Sequence, residues 1–307
     1  MLFINKTFKS INKYFLRKRG SDVRKEIINL YKRADRKGFA IGAFNFSTNE
    51  IVKGIAAAAV KLRAPIIISM SEGERNFFGC EESVGIYRAI RDKYPYVILH
   101  ADHTKSLKEL KKVIDAGYPS VHFDGSELSY EKNIRETKKA VEYAHKNHVF
   151  IEGELGGIKG GSTTHKESLK DILTEGLLTN PSQAAAFVHL TGVDSLAISI
   201  GNAHGLWKEQ KKLDFERLAA IKKKTGKFLV LHGGSGISAH DFRKAISLGI
   251  TKININTETR VAYATALTKA LHKRADYVPY HYLAEVVDAV SKLVEEKIII
   301  FKSDKKA

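Results

Sequence analysis

The hydrophobic positions along most of this chain follow two alternating patterns, short apolar runs rich in β-branched residues and longer segments with a helical period. From Lys37 onward, eight apolar runs have the length and composition of buried parallel strands, and turn residues separate them. These runs are FAIGAFNF, PIIISM, YVILHAD, SVHFDG, VFIEGEL, SLAISIG, FLVLHG and ITKINI. Strands that alternate with helices in this way predict a parallel sheet built from βα units.

Helical periodicity fills the intervals between these runs, and many of the intervals begin with a Ser, Thr, Asp or Asn that can cap a helix. Eight βα units, with no GxGxxG turn after the first strand, favour a closed (β/α)8 TIM barrel of the α/β class over an open doubly wound sheet. We assign residues 23–307 to this single barrel domain. The predicted helices cover about residues 48–63, 79–93, 106–116, 129–147, 181–191, 214–225, 238–248 and 258–275, with an extra C-terminal helix at 282–293.

The first residues have a different composition. Residues 1–20 carry six basic residues and no acidic one, with apolar residues at helical spacing from Ile4 to Phe15. Residues 1–22 are therefore predicted to form a basic amphipathic extension, an extra helix that precedes the barrel. A solvated or core-packed helix, a weak membrane-surface anchor and an organellar targeting peptide all fit this pattern.

The composition excludes several classes of protein. The chain has 307 residues, of which 43% are hydrophobic and 28% charged, as in a soluble globular protein. No apolar run approaches the roughly 18 residues of a membrane-spanning helix. Cys80 is the only cysteine, which excludes an intrachain disulfide and a cysteine-based zinc site and favours the reducing cytoplasm. The net charge of +17 suits an anionic ligand, but without a nucleic-acid-binding motif we expect no nucleic-acid partner.

Three histidines follow predicted strands at equivalent positions: His103, His204 and His232. A single histidine at a strand end is usually a structural residue. A parallel barrel, however, gathers the carboxyl ends of its strands at one mouth, so these three are expected to meet there. Three imidazoles and one open position are a common ligand set of catalytic zinc, and we therefore predict a Zn2+ site.

Acidic residues lie beside these histidines. Asp102 could orient a substrate hydroxyl or move its proton, or it could only cap the helix that begins near Ser106. Asp124, Glu152 and Glu154 also end strands. They could bind the metal, hold its ligands or form ion pairs inside the barrel, and the sequence leaves these alternatives open.

Glycine-rich or polar turns follow the fifth, seventh and eighth predicted strands. HGGSG at 232–236 and INTET at 255–259 lie where barrels often bind phosphate, because glycines expose backbone N–H groups and Ser235 and Thr257 add hydroxyls. The stretch from Gly156 to Asn180 is longer and is predicted to be a lid or binding loop.

Six motifs in this order, HADHTKSLKE, FDGSE, EGELGG, GNAHGLWK, LHGGSG and KININTETR, resemble the class II fructose-bisphosphate and tagatose-bisphosphate aldolases over about residues 38–300. The resemblance implies a homodimer or homotetramer. It also implies zinc-dependent, reversible cleavage of a phosphorylated ketose, a 1,6-bisphosphate, to dihydroxyacetone phosphate and glyceraldehyde 3-phosphate. This activity belongs to carbohydrate metabolism and glycolysis.

The same resemblance implies roles for individual residues. His103, His204 and His232 match the zinc ligands, and Asp102 matches the acid that handles the proton of the C4 hydroxyl. Asp124 and Glu154 match acids near the metal that support its ligands or serve as alternative ligands. Six residues match those that hold dihydroxyacetone phosphate and, through backbone carbonyls, a monovalent cation (Na+ or K+). They are Gly205, Lys208, Gly233, Ser235, Asn254 and Thr257.

Four further polar residues match family positions that contact the substrate. Asn45 and Ser71 match residues that face the substrate from the first two strands. Asn256 and Arg260 resemble the fructose-bisphosphate type, in which the arginine reaches a neighbouring subunit to bind the distal phosphate. The resemblance therefore favours fructose over tagatose bisphosphate.

One position departs from the family pattern. The loop glutamate that exchanges a proton on the dihydroxyacetone carbon is replaced by Ser162. Either Glu167 or His165 could substitute for it. Alternatively, the chain could be another zinc phosphosugar lyase, or a weakly catalytic homologue that binds phosphosugars.

Overall fold

Eight parallel strands form a closed barrel in chain order, as predicted. The computed structural model describes residues 22–169, 174–273 and 277–307, so the predicted N-terminal extension lies outside the described residues except for Asp22. Hydrogen bonds between the first and last strands close the barrel. The strands are β1 (Ile41–Asn45), β2 (Ile66–Met70), β3 (Val97–Thr104), β4 (Ser120–Phe123), β5 (Phe150–Leu155), β6 (Ser195–Ile198), β7 (Phe228–Leu231) and β8 (Ile250–Ile255).

Within the described residues, helices surround this barrel. Eight of them agree with the predicted segments to within a few residues, and α1 and α3 were not predicted. The C-terminal helix was predicted at 282–293 but continues to Ile300. A short 3-10 turn, Glu175–Leu177, precedes α7. The helices are α1 (Val23–Lys37), α2 (Asn49–Leu62), α3 (Glu72–Phe78), α4 (Cys80–Lys93), α5 (Leu107–Ala116), α6 (Tyr130–Lys146), α7 (Pro181–Thr191), α8 (Phe215–Thr225), α9 (Ala239–Ser247), α10 (Thr257–Lys273) and α11 (Pro279–Ile300).

Helix α1 closes the amino-terminal end of the barrel. The Asp22 side chain accepts a hydrogen bond from the N–H of Lys25, and Gly38 ends the helix with φ 64°, a left-handed conformation that suits glycine. Its buried face packs on apolar side chains at the strand starts, with the Tyr31 and Phe150 rings 4.8 Å apart. This end is apolar and sealed, so the polar site lies at the opposite end.

Helix α3 has seven residues and follows β2 directly. Ser71 and Glu74 form a capping box, in which each side chain binds the other residue's backbone N–H. Hydrophobic periodicity cannot reveal so short a helix, and for that reason sequence analysis missed it. The consequence for the site is large, because α3 carries Glu74 into the barrel mouth.

A second apolar core lies between the strands and the outer helices. Side chains that point outward from the strands, such as Phe44, Ile68, Leu99 and Val121, are buried against these helices. None of the helices in the described ranges is long and apolar enough to cross a membrane.

Candidate active site

A cavity opens at the carboxyl ends of the strands, where the sequence predicted a site. All of the predicted substrate-binding residues except Lys208 line it, together with Asp102, His103 and His204. The lining residues are Asn45, Ser71, Asp102, His103, Ser162, His204, Gly205, Gly233, Ser235, Asn254, Asn256, Thr257 and Arg260.

The end of β3 places two neighbouring side chains on the same side. Regular pleating would send Asp102 and His103 to opposite faces of the sheet. Instead, His103 adopts φ 44°, and the register with β4 shifts between Ala101 and Thr104. This left-handed kink, unusual for a residue other than glycine, lets both side chains reach the cavity.

The three predicted metal-binding histidines meet at the mouth. The centroid of the His103 ring lies 5.1 Å from that of His204 and 4.8 Å from that of His232. The His204 and His232 rings are 6.1 Å apart. His103 Nε2 and His232 Nδ1 face each other at 3.2 Å. The rings therefore converge from β3 and from the segments that follow β6 and β7.

Among the described residues, the possible metal-ligand atoms fall into two groups that share His103. Within each group, the atoms all lie within 4.8 Å of one another. One group is made of Asp102, His103, His122 and His232, and the other of His103, Asp124 and Glu154. His122, in the predicted strand SVHFDG, was not predicted as a ligand, although its alternation with Ser120 places it inside the barrel. His204 lies outside both groups and borders the cavity.

The donor set fits a divalent metal ion such as zinc. His122 Nε2 and Glu154 Oε2 are buried and 3.3 Å apart, yet neither has a hydrogen-bond partner. Buried polar atoms without partners are unusual, and a bound ion is one way to satisfy them. Imidazole nitrogens with carboxylate oxygens are ligands that zinc accepts. Asp124 Oδ2 bonds His103 Nδ1 at 2.8 Å, which leaves Nε2 of His103 directed at His232.

Burial and neighbouring charges divide these histidines into two kinds. Burial, together with the charge of His103, holds the pKa of His204 well below its usual value. Burial also lowers the pKa of His232, despite its hydrogen bond with Glu152. In His122, the neighbouring carboxylates of Asp102, Glu154 and Glu152 outweigh burial and raise the pKa to about 10. His204 and His232 are therefore neutral near pH 7, the form that binds metal.

Asp102 is buried and held between two amides. Its carboxylate accepts hydrogen bonds from Asn45 Nδ2 at 3.1 Å and Asn254 Nδ2 at 3.2 Å. Burial favours a raised pKa for this carboxyl, but the charge of His103 and the nearby His122, whose Nδ1 lies 3.9 Å away, outweigh burial and hold the pKa well below its usual range. Asp102 is thus an ionised base beside the histidines.

The alternative role of Asp102, as a helix cap, does not match the structure. Helix α5 is capped by Ser106, whose side chain accepts a hydrogen bond from the N–H of Glu109 at 3.2 Å. The Asp102 carboxylate points into the barrel instead, where it is 3% exposed.

Glu74 is a second residue of the site that sequence analysis missed. Its carboxylate accepts from Asn45 Nδ2 at 2.9 Å, from the backbone N–H of Ser71 at 2.8 Å and from Arg260 at 2.6 Å. Arg260 also donates to the backbone oxygen of Ser162. The arginine that was expected to reach a neighbouring subunit thus lines the cavity of its own chain.

Below the histidines, a polar network fills the barrel interior. Glu152 accepts hydrogen bonds from His232 Nε2 at 2.7 Å and from Lys252 Nζ at 2.8 Å. Lys252 also lies 3.1 Å from His100 Nε2, and His100 Nδ1 bonds Ser120 Oγ at 2.7 Å. Of the alternatives left open for Glu152, its contacts match ion pairing inside the barrel together with support of a histidine.

The glycine-rich loop after β5 packs on the loop after β6. Leu206 N–H donates to Thr163 O at 2.9 Å, and His165 N–H donates to Leu206 O at 2.8 Å. Ser162 lines the cavity, whereas His165 stacks on the Trp207 ring with 3.9 Å between centroids. Glu167 is 70% exposed and lies 3.5 Å from His165 Nδ1. Neither candidate substitute for the loop glutamate lines the cavity.

Two lysines after β6 have opposite environments. Lys208, predicted to bind substrate, is exposed and lies outside the cavity lining. Lys211, which sequence analysis did not single out, is 2% exposed and donates to backbone oxygens of that turn and of the turn after β7.

Comparisons with known proteins agree with this geometry. A family model described as fructose-bisphosphate aldolase class-II matches residues 25–306. A probable fructose-bisphosphate aldolase of Bacillus subtilis (strain 168) is 36% identical over 280 residues, which cover 89% of this chain and 96% of the relative. A fructose-bisphosphate aldolase of Staphylococcus aureus is 35% identical over 281 residues, with the same coverage of 89% and 96%.

Solved structures of similar proteins have the same barrel. The YdjI aldolase from Escherichia coli K12 superposes with a TM-score of 0.79 at 35% identity and covers 92% of this chain and 98% of its own. A putative fructose-1,6-biphosphate aldolase from Coccidioides immitis superposes with a TM-score of 0.77 at 29% identity, covering 91% and 96%.

Proposed function

This chain belongs to the class II fructose-bisphosphate aldolase family, and from that premise we propose that it cleaves fructose 1,6-bisphosphate reversibly, with zinc, to dihydroxyacetone phosphate and glyceraldehyde 3-phosphate. The observation that carries the proposal is the cavity itself. One side holds Asp102 with the converging histidines, and the other is built from glycine-rich turns at the phosphate end of the barrel. We further propose that the enzyme acts in the cytoplasm as a homodimer or homotetramer.

The metal would be held by His103, His204 and His232, with Asp124 orienting the first of them through its Nδ1 atom. When bound, zinc supplies a Lewis acid that polarises the substrate carbonyl and stabilises the negative charge formed as the carbon–carbon bond breaks. The low pKa values of His204 and His232 support this proposal, because a neutral ring can bind a metal ion without losing a proton. The charge of Asp102 raises the pKa of His103 against burial, so His103 would release its proton when the ion binds.

Asp102 would take the proton from the C4 hydroxyl during cleavage and return it during condensation. Its carboxylate is ionised and buried at the cavity wall, and the amides of Asn45 and Asn254 fix its orientation. A base must be held within hydrogen-bond reach of the proton that it removes, and this arrangement provides such a position.

The phosphate groups would bind at two places. Gly233, Ser235 and Thr257 form the end of the cavity at the turns after β7 and β8, with the N-terminus of α10 adding its dipole. Arg260, fixed by Glu74 at 2.6 Å, would bind the distal phosphate. Asn256 also lies at this side. Its resemblance, with Arg260, to the fructose-bisphosphate type supports the fructose bisphosphate over the tagatose bisphosphate.

The proton exchange on the dihydroxyacetone carbon has no assigned base. Ser162 borders the cavity at the position of the family's loop glutamate, and a serine hydroxyl is a poor base. His165 and Glu167 lie outside the lining. This observation favours, as a second candidate function, a phosphosugar-binding homologue with slow turnover.

A coupled assay for triose phosphates tests the proposal. Fructose and tagatose bisphosphates are supplied to the full chain with and without a metal chelator, beside Asp102→Ala and, as an exposed control on α5, Asp115→Ala. We expect cleavage of fructose bisphosphate that the chelator abolishes and that falls by about 10²- to 10⁴-fold in Asp102→Ala. Turnover that resists the chelator, or that survives in Asp102→Ala, contradicts the proposal.

The same assay separates the two candidate functions. His165→Ala and Glu167→Ala report whether either residue supplies the missing base, because only the true substitute should slow exchange of the dihydroxyacetone proton with solvent. Tight phosphosugar binding with negligible cleavage of either bisphosphate would favour the binding homologue.

Residues 1–20 are proposed to act apart from the catalytic site. Their basic, acid-free composition is suited to weak contact with an anionic membrane surface. Association of the full chain with anionic liposomes, lost when these residues are removed, is the expected result, and absence of association contradicts it.

A further inference from the structure

The side chain of Lys211 ends in a cage of backbone oxygens between the turns after β6 and β7. Its ammonium donates to Gly205 O at 2.9 Å, to Gly233 O at 2.8 Å and to Ser235 O at 2.5 Å. An ammonium has three N–H donors, so all of them are used. The Lys211 side chain is buried, and its three hydrogen bonds fix the positions of these three carbonyl groups.

No carboxylate in the described part of the chain forms an ion pair with this ammonium. The acidic side chain whose charge acts on it is Glu258, which is itself paired with Lys297 at 2.5 Å. Burial lowers the pKa of Lys211 to about 7 and the charge of Glu258 raises it in part, while three carbonyl acceptors favour the charged form. When charged, Lys211 adds a positive charge that Glu258 offsets only in part, because Glu258 is already paired with Lys297.

The cage lies directly behind the cavity wall. The three residues whose oxygens bind Lys211 also line the cavity, at the end proposed to hold a phosphate. Among the described residues, none accepts a hydrogen bond from the backbone N–H groups of Gly205, Gly233 or Ser235. The same turns therefore present their oxygens to Lys211 and have N–H donors left for an anion.

Carbonyl oxygens that converge on one point also make binding sites for alkali ions, because they replace the ion's hydration shell. The ammonium of Lys211 occupies the point on which the carbonyls of Gly205, Gly233 and Ser235 converge. An ion and an ammonium cannot share that position. The residues present do not fit a separate Na+ or K+ in this cage, contrary to what the family resemblance implied.

We propose that Lys211 is a built-in cation, which takes the place of a monovalent metal ion behind the phosphate end of the cavity and makes phosphate binding independent of Na+ and K+. The proposal rests on the proposed function, because it assumes that a phosphate group binds at this end. Lys211 acts through its charge and by fixing the two turns, and is therefore a positioning residue.

The test uses the full chain below the pKa of Lys211, about 7, where the side chain is charged, in buffers whose only added cation is tetramethylammonium, K+ or Na+ at constant ionic strength. Tetramethylammonium is too large for the cage and offers no N–H. Two quantities are measured: the Kd of inorganic phosphate, by calorimetry, and the KM and kcat for fructose bisphosphate. Lys211→Ala removes the ammonium and leaves space for an ion, and Lys212→Ala is the control, because it deletes the same charge from an exposed neighbour.

For the unaltered protein and Lys212→Ala, we expect Kd and KM to be the same with all three cations. In Lys211→Ala with tetramethylammonium, both constants should rise by about tenfold or more, with a smaller change in kcat. K+ or Na+ should restore them in part, a rescue that a purely structural role of Lys211 would not produce.

Two outcomes overturn the inference: a Kd or KM of the unaltered protein that depends strongly on K+ or Na+, or a Lys211→Ala variant that binds phosphate as tightly as Lys212→Ala without either ion. The first needs no variant and stands even if Lys211→Ala fails to fold. If phosphate binds with the expected dependence on Lys211 but no bisphosphate is cleaved, the proposed function fails and the inference stands. If fructose bisphosphate is cleaved but the Kd or KM of the unaltered protein depends strongly on K+, the proposed function stands and the inference about Lys211 fails.

Discussion

Two buried lysines of this barrel differ in what surrounds their charge. Lys252, inside the barrel on β8, is fully buried and donates to Glu152 at 2.8 Å. Lys211, at the mouth, is 2% exposed and donates to backbone oxygens, with no carboxylate partner among the described residues. A carboxylate cancels the first charge, whereas only the dipoles of peptide groups meet the second.

This difference separates structural from functional charge. A buried ion pair is neutral as a whole and gains little from a further anion, so Lys252 and Glu152 serve to fill the barrel and to hold His232. A buried cation with neutral partners keeps a field that an anionic ligand can use. The net charge of +17 gave no indication of where such a field would be, and the environment of Lys211 identifies one place.

The largest effect is expected from breaking the neutral pair inside the barrel. Lys252→Met leaves the Glu152 carboxylate buried without its cation, and we expect the free energy of unfolding to fall by about 3–5 kcal/mol. The measurement is urea denaturation of the metal-free protein near neutral pH. Lys252 also holds the pKa of Glu152 well below its usual value, against burial, so this pKa should rise in the variant.

The control for this prediction is the double variant Lys252→Met with Glu152→Gln. It removes both charges and keeps a group that can hydrogen-bond His232, so it should recover more than half of the lost stability. A double variant as unstable as the single one would show that packing, rather than charge, determines the loss.

The second prediction concerns the pH dependence that Lys211 contributes. Burial lowers its pKa in the folded chain to about 7 from the ordinary value of 10.5, although Glu258 acts in the opposite direction. Between these two values the unfolded chain binds more protons, so the native state gains stability as pH rises through this window. Relative to Lys211→Ala, the free energy of unfolding of the unaltered protein should increase by about 1.4 kcal/mol per pH unit.

Denaturation of both proteins at several pH values between these limits measures this change, with Lys212→Ala as the exposed control. The control should differ from the unaltered protein by the same amount at every pH. A constant difference for Lys211→Ala as well would mean that the ammonium keeps an ordinary pKa in its cage.

Much of the fold and the site could be predicted, because both depend on periodic signals. Each barrel strand is a continuous apolar run, and parallel closure brings every strand end to one mouth. His103, His204 and His232 were therefore placed together without coordinates. The kink at His103, which brings Asp102 to the same side of the sheet, could not be predicted, because no sequence signal fixed it.

The residues that were missed depend on contacts that the pattern does not encode. Glu74 enters the mouth because a seven-residue helix follows β2, too short to show a period. Lys208 and Lys211 both lie in a run of charged residues, and only the path of the loop decides which is buried. For His122 a signal existed, since it alternates with Ser120 along β4 and so faces the barrel interior.

A smaller effect is expected from the ion pair at the rim of the cavity. Glu74→Gln weakens the charge-assisted hydrogen bond to Arg260, whose side chain is 42% exposed, and those to Asn45 and Ser71. The free energy of unfolding should fall by about 1–2 kcal/mol, and the KM for fructose bisphosphate should rise several-fold as Arg260 loses its fixed position. Glu81→Gln, exposed on α4, is the matched control, and an equal effect in both variants would contradict this role of Glu74.

The smallest effect is expected from the same chemistry at the surface. Lys61 Nζ lies 2.7 Å from Glu295, almost the same distance as in the Lys252 pair, but the Lys61 side chain is 66% exposed. Water already solvates the Lys61 ammonium, although the Glu295 side chain is only 19% exposed, so Lys61→Met should change the free energy of unfolding by about 0.5 kcal/mol or less. The same substitution at Lys252 and at Lys61 thus compares a buried and an exposed lysine in pairs with nearly the same distance, and urea denaturation measures the loss of stability in each.

In about 1 M salt, which screens exposed charges beyond roughly 3 Å, the small effect at Lys61 should decrease further while the effect at Lys252 persists. If both substitutions cost the same, or both respond equally to salt, burial does not control the energy of these pairs, and the distinction between neutralised and free lysines loses its basis.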